Sequence, residues 1–151
     1  MNDIQYVYEV WQRNYRFRIY ERAYHVMSEV IRVKEFKSIC EDQSTEDTEK
    51  GDLLGKLMNQ SHESLRDLYE CSSEELEELT QLAKDNGALG SRVTGAGWGG
   101  CCISLIKEDI ADEFVDKIYD YYTKEREPGR QLWVTDDLSR YTFATKPSSG
   151  A

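Results

Sequence analysis

A chain of 151 residues has room for one domain, and folding can bury about two-thirds of the surface at that size. With 39% hydrophobic residues, 10 Tyr, 4 Phe and 3 Trp it carries enough apolar body for a core, while a formal net charge of −10 opposes non-specific binding to nucleic acid or an anionic membrane. The same negative field repels a free nucleotide, so a phosphate site here has to rest on local backbone donors or on another domain.

Residues 1–18 are dense in aromatics and arginines: Tyr6, Tyr8, Trp11, Tyr15 and Phe17 among Arg13, Arg16 and Arg18. Such interleaving can mark a nucleic-acid surface, but the overall charge argues against it. The expected reading is an N-terminal segment, interdomain or disordered, that packs against something outside the chain. From about Ile19 the pattern is helical. Ile19, Ala23, Val26, Met27, Val30 and Val33 recur at spacings of three and four, which predicts a core-facing stripe. Glu41 to Lys50 contains no apolar residue and reads as a solvated loop.

A second helix is expected after Gly51, with Leu54, Leu57, Met58, Leu65 and Leu68 on one face. A third is announced by Ser72 with Glu75 three residues on, a capping box. Leu76, Leu79, Leu82 and Ala83 form its stripe, and Asn86-Gly87 supplies a left-handed stop. Ser91–Thr94 is then a short strand, Gly95–Gly100 a glycine loop and Cys101–Ile106 an apolar strand. Asp109 is placed to cap a fourth helix with Ile110, Phe114, Ile118 and Tyr122 on its apolar face. Pro128-Gly129 should turn the chain, and Tyr141–Thr145 reads as a last strand ending at Pro147. Helices followed by strand–loop–strand–helix–strand imply an α+β domain, with helices packed on one face of a small antiparallel sheet.

Cys40, Cys71, Cys101 and Cys102 fit neither a zinc knuckle nor a redox pair, and adjacent strand residues such as Cys101 and Cys102 point to opposite faces. All four are expected to be small buried hydrophobes in a reducing compartment. With no secretory h-region at the start and no apolar run of transmembrane length, the expected location is cytoplasmic, with no membrane contact.

The informative stretch is Gly90-Ser91-Arg92-Val93-Thr94-Gly95-Ala96-Gly97-Trp98-Gly99-Gly100-Cys101-Cys102. Four of the six residues from Gly95 to Gly100 are glycine, which permits positive φ and a close approach of backbone to a ligand. Gly95, Gly97 and Gly100 satisfy G-x-G-x-x-G, but a dinucleotide fingerprint must open a helix, and here the loop opens an apolar strand. A P-loop needs Gly-Lys-Ser/Thr where Cys101-Cys102 stands. A protein-kinase glycine loop has the right strand–loop–strand topology but needs His-Arg-Asp and Asp-Phe-Gly downstream, which do not occur. On these letters alone a tight glycine hairpin without ligand competes with each.

The string from Gly90 to Cys101 resembles the third signature motif of the GHMP small-molecule kinases, and more narrowly that of galactokinases and N-acetylgalactosamine kinases. Two further blocks agree in order. Tyr20-Glu21-Arg22-Ala23-Tyr24-His25-Val26, with Ser28-Glu29 and Arg32-Val33, resembles the family helix carrying Arg-Ala-x-His-Val. Leu57-Met58-Asn59-Gln60-Ser61-His62, with Leu68-Tyr69-Glu70-Cys71-Ser72, resembles the helix ending in Leu-Tyr-Glu-Cys-Ser. Ala144-Thr145-Lys146-Pro147 fits the family's C-terminal segment, and Trp98, where many bacterial relatives have Phe, leans toward the eukaryotic N-acetylgalactosamine kinase branch.

The resemblance implies a ferredoxin-like GHMP kinase C-terminal domain over residues 19–151. The family's active site lies between two domains, and the nucleotide loop and catalytic Asp and Arg belong to the N-terminal one. Its signature strings do not occur here. The resemblance therefore implies no catalytic residue in this chain, ATP and Mg²⁺ bound mainly by an N-terminal kinase domain that is its partner, and no activity of the chain alone. Thr94, Gly95, Ala96 and Gly97 are implied to meet galactose or N-acetylgalactosamine, with Trp98, Gly99 and Gly100 supporting the loop. Relatives continue past the segment matching Ser148–Ala151 into a final strand, so a sheet one strand short, with an unpaired edge, is expected. Two other functions fit the sequence: a non-catalytic galactose-sensing regulator of the same family, and a free-standing interaction domain. His25 and His62 are expected to be packed or hydrogen-bonded helix residues, Arg92 solvated or ion-paired, Asn59 and Ser61 in helix–helix hydrogen bonds, and Glu74–Glu78 a helix surface.

Overall fold

The computed structural model describes residues 18–125 and 141–146. The expectations for residues 1–17, for the turn at Pro128-Gly129 and for the tail from Pro147 concern residues outside these.

Helix α1 spans Ile19–Glu41, as its periodicity predicts, but the predicted stripe does not face a core. Ile19 is 71% exposed, Met27 68% and Val33 63%, with Tyr20, Tyr24, Val26, Val30 and Ile31 also exposed. The face that packs is the polar one a third of a turn away. His25 is buried and bonded through Nδ1 to Ser64 Oγ at 2.8 Å, and Glu29 accepts the Ser61 hydroxyl at 2.9 Å. The reason is complementarity: helix α2 (Asp47–Ser64) offers α1 the hydroxyls of Ser61 and Ser64, which need partners once buried. Ser61 thus makes the helix–helix bond expected of it.

The loop between α1 and α2 is shorter than the polar run suggests. Asp42 folds residues 42–46 into a turn by accepting from the Ser44 N–H at 2.8 Å, the Ser44 hydroxyl at 2.7 Å and the Thr45 hydroxyl. Those donors hold its carboxyl at about 2. Helix α2 then starts at Asp47, before Gly51, and takes Gly51 and Gly55 into its body. Leu57 and Met58 are buried as expected.

A π-helical turn, Leu65–Tyr69, extends α2 and ends at Glu70 in the left-handed region with φ 58°. Helix α3 covers Glu74–Asp85. Its cap is Ser73, whose Oγ accepts from Leu76 N at 3.4 Å, and not Ser72, whose hydroxyl donates to the Glu77 carboxylate. The capping signal was one residue out of register because two serines stand together. The acidic run is also more than surface: Glu77 engages His62 and Arg66, and Glu78 accepts from the Tyr121 hydroxyl at 2.9 Å. Gly87, at φ 100°, stops the helix as predicted.

Strands β1 (Gly90–Thr94) and β2 (Cys101–Leu105) pair antiparallel with Ser91 opposite Ser104, Val93 opposite Cys102 and Thr94 opposite Cys101. Ser91 and Val93 are buried on the face covered by the helices, whereas Ile103 on the other face is exposed. Where α2 crosses β1, backbone meets backbone: a Cβ on Gly55 would lie 2.4 Å from the Leu89 carbonyl oxygen, and one on Gly90 would lie 2.3 Å from that of Gly55. Asn59 locks this crossing. Contrary to the helix–helix bond expected of it, its amide donates to the Leu89 carbonyl at 3.2 Å and accepts from Ser91 N at 3.0 Å.

Beyond β2, Glu108–Ile110 forms a 3₁₀ turn into helix α4, Ala111–Asp120. Asp109 lies inside that turn and makes no cap; Ile110 takes the N-cap position without a side-chain bond. Phe114 and Ile118 do face inward, joining Ala83 and Ala88 in a core flanked by Leu79, Leu82, Ile106 and Tyr122. Residues 141–146 do not form the expected strand. Tyr141 and Phe143 are exposed, and residues 141–146 pair with neither strand of the β1–β2 sheet. The cysteines are all free, but only Cys71 is buried and Cys102 half-buried; Cys40 and Cys101 are exposed. Burial raises the Cys71 thiol and pushes Cys102 up to about 12, so neither is a ready thiolate.

Candidate functional site

The hairpin closes through Gly95–Gly100, between the paired residues Thr94 and Cys101. Five of these six residues have positive φ: Gly95 at 85°, Gly97 at 83°, Trp98 at 56°, Gly99 at 134° and Gly100 at 93°. Only glycine takes such angles freely, so Trp98 is held there by its contacts. Its backbone N–H donates to the Cys71 carbonyl, and its indole Nε1 donates to the Glu70 carbonyl at 3.0 Å.

The residues singled out from sequence divide into two sets. Thr94, Gly95 and Ala96 are exposed at the mouth of the loop, and a Cβ on Gly95, Gly99 or Gly100 would meet nothing within 4 Å. Gly97 turns inward: a Cβ there would lie 2.5 Å from the Cys71 carbonyl oxygen and 2.8 Å from the Cys71 Cβ. Its lack of a side chain serves the contact with Cys71.

The three sequence blocks meet here. The Trp98 ring, 65% exposed, lies 6.4 Å from the Tyr69 ring, which in turn lies 5.0 Å from His25. The Arg22 guanidinium sits over Tyr69, 5.5 Å from its centroid, and bonds Glu70 at 2.6 Å. Glu70 and Cys71, which seat the loop, carried no separate signal beyond the Tyr-Glu-Cys string they belong to. Arg92, three residues before the loop, pairs with Glu29 at 3.4 Å. Burial works to raise the Glu29 carboxyl, but hydrogen bonds from Arg32 and Ser61 outweigh it and hold it below the usual carboxylate range. The arginines around the loop are therefore already matched by carboxylates. Among the described residues no group of three or more His, Cys, Asp or Glu is placed to hold a metal ion, and no helix is long and apolar enough to cross a membrane.

Both histidines are buried and hydrogen-bonded, as expected. His62 bonds Thr80 through Nε2 at 3.1 Å, with Glu77 Oε1 also at 3.1 Å. Burial depresses the pKa of His25 and of His62 below 6.5, against the pull of Glu29 and Glu77 respectively. The folded state thus keeps both neutral where the unfolded chain takes up protons, so stability falls as pH drops below about 6.5. A second loss follows below about 4.5, where the depressed carboxyls Glu29, Glu70 and Glu77 favour the folded state less. Melting temperatures recorded from pH 8 to pH 4 are expected to show the first decline above pH 5. A flat profile down to pH 5 would contradict these placements.

The loop that carries the resemblance to the small-molecule kinases thus projects from the β1–β2 hairpin and is seated on the turn that follows α2. The family described as GHMP kinases C terminal matches residues 43–124, and the chain belongs to it. It is 44% identical over 149 residues to a galactokinase of Dictyostelium discoideum, covering 89% of this chain and 29% of that protein. It is also 40% identical over 136 residues to a galactokinase of Saccharomyces cerevisiae, covering 89% and 26%. Among solved structures, a Lactococcus lactis galactokinase complexed with galactose matches with a TM-score of 0.59 and 32% identity, over 74% of this chain and 29% of that one. The chain thus spans less than a third of the length of these relatives.

Proposed function

We propose that this chain forms the sugar-side wall of a galactokinase-type kinase that transfers the γ-phosphoryl group of ATP to the 1-hydroxyl of galactose or N-acetylgalactosamine. The observation that carries this reading is the convergence of the three resembling blocks on one glycine loop, in a chain whose matched relatives are galactokinases, one of them solved with galactose. The backbone of Thr94, Gly95, Ala96 and Gly97 lines the sugar cleft, and Trp98, Gly99 and Gly100 hold its shape.

Catalytic groups, ATP and Mg²⁺ belong to an N-terminal kinase domain in this reading. Mg²⁺, when bound there, would supply positive charge to offset that of the ATP phosphates. This chain's described residues offer loop backbone and ion-paired arginines, with no metal-ligand cluster of their own. The exposed apolar face of α1, from Ile19 to Val33, supports a preceding domain as its cover: a galactokinase-length polypeptide has more than two-thirds of its residues outside the matched part. The assembly would work in the cytoplasm.

The test is phosphorylation of galactose and N-acetylgalactosamine by this chain with ATP and Mg²⁺, before and after adding the N-terminal domain of a galactokinase. Turnover is expected only in the mixture. Turnover by the chain alone would refute the division of labour, and none in either case would refute the kinase reading.

A further inference from the structure

Glu70 touches both α1 and the glycine loop. Its side chain faces α1, where Arg18 closes on Oε1 and Arg22 on Oε2 at 2.6 Å. Arg22 secures the same turn twice more, by donating to the Leu68 carbonyl and by lying over the Tyr69 ring. The backbone of Glu70 faces the glycine loop. Its carbonyl accepts the Trp98 indole N–H at 3.0 Å, and the next carbonyl, that of Cys71, accepts the Trp98 N–H and abuts Gly97. With φ at 58°, Glu70 stands in a region that a residue with a side chain avoids unless its surroundings hold it. The Glu70 and Cys71 N–H groups both donate to the Leu65 carbonyl, and the two arginines add a hold on the side chain.

The geometry points to Glu70 as a positioning residue: its carboxylate, clamped by Arg18 and Arg22, fixes the backbone seat of Gly97 and Trp98 and so aims Thr94–Gly97 at the sugar. The substrate part of this inference rests on the function proposed above; the mechanical part does not. Hydrogen bonds from Arg22 and then Arg18 keep the Glu70 carboxyl below the usual range, so the clamp is charged at neutral pH. Both arginines and Glu70 are partly solvated, so salt loosens the clamp.

Two readouts test it. In the chain with Trp11→Phe and Trp133→Phe, Trp98 is the sole tryptophan emitter. Glu70→Gln keeps the side-chain shape and removes the charge. It is expected to increase acrylamide quenching of Trp98 and to abolish the rise in quenching that 1 M NaCl causes in the parent. In the enzyme assembled with the N-terminal domain, Glu70→Gln is expected to raise KM for the sugar about five- to tenfold at unchanged KM for ATP, the size of losing two partly exposed charge pairs. Unchanged quenching overturns the proposal. So does a lower kcat with both KM values fixed, which marks a residue that merely maintains the fold. If Glu70→Gln does not fold, Arg18→Gln removes half the clamp and must move both readouts the same way by less. If the parent assembly phosphorylates no sugar, the kinase reading fails, and the quenching arm alone decides whether Glu70 positions the loop.

Discussion

Gly97→Val in the assembly proposed above is expected to lower kcat/KM about a hundredfold or more, because the segment proposed to line the sugar cleft would shift by about an ångström. The added Cβ would stand 2.5 Å from the Cys71 carbonyl oxygen and 3.0 Å from its Sγ, on a backbone at φ 83°. The obstacle is main chain. It belongs to the turn that follows α2 and carries the Trp98 hydrogen bond, so it cannot swing away as a side-chain tip does. The loop has to lift from its seat, carrying Ala96 and Gly95 with it. The cost in stability is smaller, about 1–3 kcal/mol for overpacking and strain together, because the core of Ala83, Ala88, Phe114 and Ile118 lies elsewhere. Gly99→Ala is the control: its φ of 134° is also unfavourable, but a Cβ there meets nothing within 4 Å. Steady-state kinetics of the two variants separate clash from backbone strain, and Gly97→Val with parental turnover would remove the glycine loop from the site.

Gly55→Ala is expected to destabilise the chain by about 2–4 kcal/mol, against the usual rule that alanine in a helix interior gains about 1 kcal/mol over glycine. The Cβ would lie 2.4 Å from the Leu89 carbonyl oxygen and 2.5 Å from its carbon. Relief requires α2 to move off β1, which also stretches the two Asn59 hydrogen bonds to Leu89 and Ser91. A loss of that size is a large share of the 5–15 kcal/mol typical of a domain. Gly51→Ala, one turn earlier, meets only the Leu89 Cδ1 at 3.0 Å, a movable side-chain end. It should be near neutral or stabilising. Urea denaturation of both variants reads the contrast, and equal midpoints would mean that the helix does not cross the strand this closely.

Much of the fold follows from strong local signals in the chain. The helix from Ile19, though not its predicted core-facing stripe, the Asn86-Gly87 stop, the β1–β2 hairpin and the Phe114/Ile118 face each depend on residues within a turn or two of one another, and each appears in the structure. The errors were of two kinds. Some were local ambiguities: Ser72 and Ser73 both satisfy the capping pattern, and glycine at 51 looked like a helix start although the helix absorbs it. Others were questions of partnership. Tyr141–Thr145 alternates like a strand, but alternation alone does not determine whether a segment pairs, and it joins neither β1 nor β2.

For the candidate site, the sequence by itself determined the loop, its glycines and the family resemblance, because a run of glycines between two strand patterns is a statement about backbone freedom that needs no distant residue. Only the tertiary structure decided how that freedom is used. Gly95 opens outward while Gly97 fits against Cys71, and Gly55 and Gly90 let helix and strand touch. The packing face of α1 was likewise beyond reach. The apolar stripe of that helix points away from α2, and what selected the seam of His25 and Glu29 was the pair of hydroxyls on α2, Ser64 and Ser61, that burial would otherwise leave unpaired.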